Sequence, residues 1–101
     1  MSWRVFLSLE ARAQLEAAAL WWDEQRSVGR DVLLTEFEDA IDRIRTQPEA
    51  APTFRVRRGI VTRRLLLRLT RYHVYYSIDG AAGEIRITAV WHGSRHKGPR
   101  L

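Results

Sequence analysis

The sequence predicts an α+β domain in which an N-terminal strand and a two-helix hairpin precede an antiparallel meander of three to four strands packed on the helices. Three observations predict it. Apolar residues recur with a helical period in the first half of the chain, and they alternate with the period of a strand after Pro52. The 101 residues suffice for one hydrophobic core, so we expect residues 1–101 to form a single domain. Helices followed by a run of strands are typical of this class.

The first two elements follow from a change of period at Ser8. Residues 3–8, WRVFLS, alternate and are rich in residues that favour strands. Ser8 is placed to cap a helix running to about Arg26, and Glu10 in its first turn complements the helix dipole. The side of this helix that we expect in the core has four members at helical spacing: Leu15, Ala18, Ala19 and Trp22.

The second helix is predicted between two breaks in the pattern. In the segment SVGRD, Gly29 suits a turn between helices, and Asp31 is placed to begin the next helix. Pro48 and Pro52 end the helical pattern. One stripe predicts the side that packs in the core: Leu34, Phe37, Ile41 and Ile44.

Alternation then predicts strands over residues 53–58, 61–70, 72–79 and 84–92, with DGAAG as the hairpin loop between the last two. One face of this sheet should pack on the helices through Leu65, Leu67, Leu69, Tyr72, Val74, Tyr76, Ile78, Ile85, Ile87, Ala89 and Trp91. The opposite face should be exposed, basic and partly aromatic, with Arg64, Arg68, His73, Tyr75 and Arg86.

Charge is divided unequally between the two halves of the chain. Residues 1–53 contain six arginines and ten acidic residues, a net charge of −4. Residues 54–101 contain eleven basic and two acidic residues, a net charge of +9, which gives +5 for the whole chain. The strand half therefore favours a polyanionic partner, either nucleic acid or an acidic protein segment.

Composition also excludes several kinds of site. The chain has no cysteine, so disulfides and thiolate metal sites are excluded, which fits a cytoplasmic location. No stretch approaches the roughly 20 apolar residues of a membrane span, and we expect no membrane partner. The opening residues MSWRVFLSLEARAQ have no basic leader, so we expect no secretory signal.

The segment VWHGSRHK, residues 90–97, combines two histidines with two cations. His92 and His96 are four residues apart, a spacing that suits a metal only on a helix. Gly93 and Gly98 argue against a helix, and no third ligand is evident, so we expect neither a metal nor a cofactor. His92 then has two readings, as a residue that caps the last strand or as an acid–base group.

The strand half resembles the RelE/ParE superfamily of bacterial toxins. The resemblance rests on the Arg-rich strand TRRLLLRLT and on the aromatic strand with Tyr72, Val74, Tyr75 and Tyr76. After a short turn, the last strand ends in the spacing of Val90, His92 and Arg95. This likeness implies a small cytoplasmic toxin that arrests growth. It also implies a cognate antitoxin that masks the toxin with an acidic or amphipathic segment, in a small oligomer.

The two branches of the superfamily imply different chemistry. In the RelE branch, a ribosome-dependent ribonuclease cleaves mRNA by attack of a ribose 2′-hydroxyl, which requires a base, an acid and cations. Carried over by position, its catalytic set falls on Arg64, His73 and Arg95, with His92 or His96 available for acid–base work. Leu66 and Leu101 stand where that branch has a basic residue and a tyrosine, so the set is incomplete.

The ParE branch inhibits DNA gyrase and has no hydrolytic centre. It resembles this chain in its long helical hairpin and in an end soon after the His–x–x–Arg stretch, so we favour it. The residues expected to bind the target or a nucleic acid are Arg64, Arg68, Tyr75, Arg86, Arg95 and Lys97. A third reading is a non-toxic module that binds nucleic acid through the basic face, with salt-dependent affinity.

Overall fold

A computed structural model describes residues 3–25, 29–94, 98, 99 and 101. The elements are β1 (Arg4–Leu7), α1 (Leu9–Gln25), α2 (Gly29–Thr46), β2 (Thr53–Arg57), β3 (Ile60–Leu66), β4 (Tyr72–Asp79) and β5 (Glu84–His92). The five strands form one sheet in the order β1-β5-β4-β3-β2. Strands β2 to β5 pair antiparallel, whereas β1 pairs parallel with β5. The predicted α+β architecture is confirmed.

The helices cover one face of the sheet, and the core lies between the two layers. The Ser8 hydroxyl accepts the backbone N–H of Ala11 at 3.0 Å, so Ser8 caps α1 as its sequence position predicts. Helix α1 packs on α2 and β5 and buries three of its alanines, and the Gln14 side chain accepts the Val90 N–H at 2.8 Å. Apolar residues of both layers form the core: Ala11, Ala18, Ala19, Leu33, Phe37, Ala40, Ile44, Leu67, Val74, Tyr76, Ile85, Ile87 and Val90.

A β-bulge in β5 changes which of its residues face the helices. Tyr76 pairs with Ile87 and Tyr75 pairs with Ala89, which leaves Thr88 as the extra residue. From Ala89 onward the alternation is therefore reversed relative to the prediction. Val90 enters the core, and Trp91 lies opposite His73 on the other face. The expectation that Ala89 and Trp91 pack on the helices is wrong, because a single inserted residue inverts a period of two.

The predicted third strand is too long at its C-terminal end. Strand β3 ends at Leu66, because the Leu67 N–H donates to Tyr72 O and the Arg71 N–H donates to Leu67 O, both at 2.8 Å. Residues 67–71 therefore form a turn, in which Arg71 has a φ of 68°. Leu69, predicted for the core, is 74% exposed at the tip of this turn.

Two other boundaries differ from their predictions. Gly29 begins α2 instead of lying in a turn before it, which places Asp31 in the first turn of the helix, where its charge is favourable. Strand β2 ends at Arg57, since Arg58 and Gly59 have φ of 51° and 78° and form the hairpin turn. Within the described residues, no helix is long and apolar enough to cross a membrane.

Candidate functional site: a basic groove

A groove of about 1070 Å³ opens between the C-terminal end of α2, the segment that leads into β2, and the strands β3 and β4. We call it the basic groove, because four arginines and a histidine line it: Arg43, Arg64, Arg68, Arg71 and His73. Among the described residues that line it there is no carboxylate. Its apolar lining includes Ile44, Pro52, Phe54, Leu65 and Leu66. The groove therefore suits an anionic partner that also has apolar groups.

Arg64 is fixed in place by aromatic side chains. Its guanidinium carbon lies 4.8 Å from the centre of the Phe54 ring, a cation–π geometry. Phe54 meets Tyr75 edge to face at 5.1 Å, and Tyr75 lies directly opposite Arg64 in the pairing of β3 with β4. Tyr75 is 3% exposed, so the expectation that it is an exposed binding residue is wrong. Tyr75 packs against the Phe54 ring, and that ring in turn contacts the guanidinium of Arg64.

His73 is the histidine of the groove. It is half-buried on β4 next to Leu66 of β3, and its ring is 6.1 Å from that of Tyr75. Burial, followed by the charges of Arg64 and His92, lowers the pKa of His73 below its ordinary value. The imidazole is therefore neutral at neutral pH, and in that form it accepts a proton or a hydrogen bond.

The groove wall formed by residues 47–52 is bound to the sheet by two side chains. The Tyr76 hydroxyl donates to Pro48 O at 2.6 Å, and Arg63 donates to Ala51 O at 2.8 Å and to Glu49 O at 3.1 Å. Burial raises the pKa of Tyr76, against smaller lowering effects from Arg63 and from the Ala51 backbone. Tyr76 is thus a protonated structural anchor of the wall.

His92 lies outside the groove lining and helps to hold the end of β5. Its ring meets Tyr72 edge to face at 4.9 Å. Its Nδ1 accepts the Ser94 backbone N–H at 3.2 Å and lies 2.7 Å from the Ser94 hydroxyl. These contacts fit the reading of His92 as a capping residue of the last strand.

The remaining predicted site residues lie in different places. Arg68 lines the groove from the turn after β3. Arg86 does not line it; at the β4–β5 hairpin it pairs with Asp79 at 3.4 Å and Glu84 at 2.9 Å. Arg95, His96 and Lys97 lie outside the described residues, so their assignment stays a prediction.

Sequence reasoning missed three contributors to the groove. Arg43 lies on α2 outside the predicted core stripe, and Phe54 is the extra residue of a bulge in the pairing of β2 with β3. Arg71 lies between two predicted strands, and its left-handed backbone has no signal in the sequence, because such a conformation is uncommon outside glycine. The clustering of arginines in residues 54–71 was the one available indication.

Comparison with known proteins agrees with this architecture. The family model described as “ParE toxin of type II toxin-antitoxin system, parDE” matches residues 5–97. No curated protein matches the chain by sequence.

Among the solved structures that share the fold are two of toxin–antitoxin systems. A chain of the chromosomal ParDE toxin–antitoxin system from P. aeruginosa superposes with a TM-score of 0.62 at 17% identity, covering 90% of this chain and 96% of that one. A chain of the toxin–antitoxin complex RelBE2 from Mycobacterium tuberculosis also gives 0.62, at 20% identity, covering 91% and 99%. With the family match over residues 5–97, these findings show that the chain belongs to the ParE toxin family of type II toxin–antitoxin systems.

Proposed function

We propose that this protein arrests bacterial growth by inhibiting DNA gyrase and that a cognate antitoxin neutralises it in the cytoplasm by docking an acidic or amphipathic segment. The observation that carries the proposal is the basic groove, whose described lining has four arginines and no carboxylate. An uncompensated cluster of cations attracts an acidic partner and speeds the encounter with it. Both similar structures are of toxin–antitoxin systems, which supports a protein partner of that kind.

The acid–base groups of the groove favour gyrase inhibition over RNA cleavage. Attack by a 2′-hydroxyl needs a base for that hydroxyl and an acid for the leaving oxygen. Apart from the arginines, the titratable groups in the described lining are His73 and Tyr76. The Tyr76 hydroxyl donates a hydrogen bond to Pro48 O, and burial raises its pKa, so it does not serve as a base. This lining thus offers cations and one acid–base group, a set suited to binding.

The second candidate is ribosome-dependent cleavage of mRNA, and one observation favours it. His73 is neutral, half-buried and close to the charge of Arg64, which is the pairing of a proton acceptor with a phosphate-binding cation. Arg95, matched by position to the RelE branch, would supply a further cation.

Induction in bacteria with and without the adjacent antitoxin gene tests both candidates. We expect growth arrest that the antitoxin relieves, together with gyrase trapped on cleaved DNA. Cleavage of mRNA within translated codons would support the ribonuclease instead. Harmless expression, with salt-dependent binding of free DNA or RNA, would refute both and support a nucleic-acid-binding module.

A pair of matched variants connects the groove to toxicity. Arg64→Ala should relieve growth arrest, because it removes a fixed cation from the groove. Arg86→Ala removes the same charge at the ion-paired hairpin and should stay toxic. Equal toxicity of the two variants, with melting curves showing that both are folded, would contradict a role for the groove. Arg95→Ala is the companion variant, expected to relieve toxicity without unfolding the domain.

A further inference from the structure

The turn of residues 67–71 is hydrogen-bonded to a side chain of the helix layer. The carboxylate of Glu36, on α2, accepts the Leu69 N–H at 2.6 Å and the Thr70 N–H at 3.0 Å, one on each oxygen. It also accepts the Thr70 hydroxyl at 2.7 Å. Two successive backbone N–H groups form a concave site for an anion, and here a side chain of the protein itself occupies it. A carboxylate holding three donors is a strong constraint on a turn.

The same turn carries two of the four arginines of the basic groove. Arg68 precedes the clamped pair of residues and Arg71 follows it, and both side chains are part of the groove lining. Arg71 has the left-handed φ of 68°, which a non-glycine residue keeps only where its surroundings enforce it. Its carbonyl accepts the Gly93 N–H at 2.8 Å, which fixes the far side of the turn.

From this arrangement we infer that Glu36 is a positioning residue, which holds Arg68 and Arg71 in the orientation that binds the acidic side chains of a partner segment. The choice of an acidic peptide rests on the proposed function and on the lining, which combines the arginines with apolar groups such as Phe54 and Leu66. A carboxylate outside the groove thereby increases the affinity of the groove for carboxylates.

The charge of Glu36 makes this inference unusually testable, because two effects have opposite signs. Removing a negative charge beside the turn that carries Arg68 and Arg71 should strengthen the binding of any anion by electrostatics alone. Removing a positioning contact should weaken it. Glu36→Gln keeps the shape of the side chain, loses the charge and places an amide donor against the backbone donors of the turn.

The experiment measures the binding of a fluorescein-labelled deca-glutamate peptide to the purified full chain by fluorescence anisotropy. We expect Glu36→Gln to weaken binding by roughly five- to tenfold, the loss of about one charge-assisted contact. Glu38→Gln, the same change at an exposed site on the same helix, is the matched control and should leave binding unchanged or slightly stronger. A labelled oligothymidylate of equal length, measured in parallel, should bind more weakly than the peptide.

A double-mutant cycle separates positioning from general loosening of the fold. In a background of Arg68→Ala with Arg71→Ala, Glu36→Gln should change peptide affinity by less than about twofold, since the cations that it positions are absent. An equal loss in both backgrounds, or stronger binding by Glu36→Gln, would overturn the inference. Preference for the oligothymidylate would overturn the assignment of an acidic peptide. If Glu36→Gln does not fold, Thr70→Val, which removes only the hydroxyl contact, takes its place in the same cycle.

Neither the peptide affinities nor the double-mutant cycle depends on whether the protein is toxic. Absence of growth arrest would refute the proposed function and leave the peptide measurements unaffected. Additive effects in the cycle would refute the role of Glu36 and leave the growth phenotype unaffected.

Discussion

Replacing Tyr76 with phenylalanine tests whether the groove wall depends on one buried hydroxyl. The Tyr76 side chain is fully buried, and its hydroxyl donates to Pro48 O at 2.6 Å. The substitution keeps the ring in the core and removes this hydrogen bond, worth about 0.5–1.5 kcal/mol net. It also leaves the carbonyl of Pro48, a half-buried residue, without that donor, which adds to the loss of stability.

Two neighbouring contacts limit the loss. Arg63 still donates to Ala51 O and Glu49 O, so the wall stays attached to the sheet. We therefore expect Tyr76→Phe to lower the free energy of unfolding by about 1–2 kcal/mol. In a domain of this size, each kcal/mol of lost stability lowers the melting temperature by roughly 4–8 °C.

Urea unfolding followed by tryptophan fluorescence measures this change, with a thermal melt by circular dichroism as a second probe. Tyr75→Phe is the matched control, because Tyr75 is also buried on β4 but has no hydroxyl hydrogen bond among the described residues. It should change stability by less than about 0.5 kcal/mol. Equal effects of the two substitutions, or a Tyr76→Phe loss below that figure, would refute the anchoring role of the hydroxyl.

Three further predictions follow from local features. Because burial is the main cause that lowers the pKa of His73 below 6.5, the unfolded chain takes up a proton first, and stability should fall as the pH decreases from about 6.5. The urea midpoint should fall less between neutral and acidic pH in His73→Gln than in the unmodified protein. An equal fall would contradict His73 as the origin of the pH dependence. Ser8→Ala removes the cap of α1 and should cost about 1 kcal/mol in urea unfolding, whereas Ser8→Asn should keep most of the stability. Arg58→Asn relieves a left-handed residue in the β2–β3 turn and should raise stability by about 0.5–1 kcal/mol, whereas a lower melting temperature would argue against strain there.

The elements of the fold were predictable because their signals are local. The cap at Ser8, the helical stripe with Phe37 and Ile44, and the strand alternation each depend on residues close in sequence. The bulge at Thr88 was not predictable, since the extra residue fits the alternating pattern and is placed by its pairing with β4. Because of this bulge, Val90 faces the core and Trp91 lies on the other face of the sheet.

The candidate site was predictable in part, for a similar reason. The charge count correctly places cations on the strand half, and Arg64, Arg68 and His73 do line one groove. Tyr75 is buried because Phe54 of β2 covers it, a contact between strands that the sequence of β4 does not report. Glu36 lies outside the predicted core stripe of α2, and no nearby residue in the sequence indicates its contacts. Its role depends on a turn 33 residues later in the chain.

The parallel pairing of β1 with β5 has a consequence for how the protein is made. Arg4 lies opposite Glu84, so residues 80 positions apart in the chain are neighbours in the sheet. During synthesis, β1 cannot join the sheet until β5 has been translated. Closing so long a loop is entropically costly and is typical of slowly folding topologies. The nascent chain therefore carries β1 unpaired for most of translation, which is the period in which chaperones and proteases compete for it.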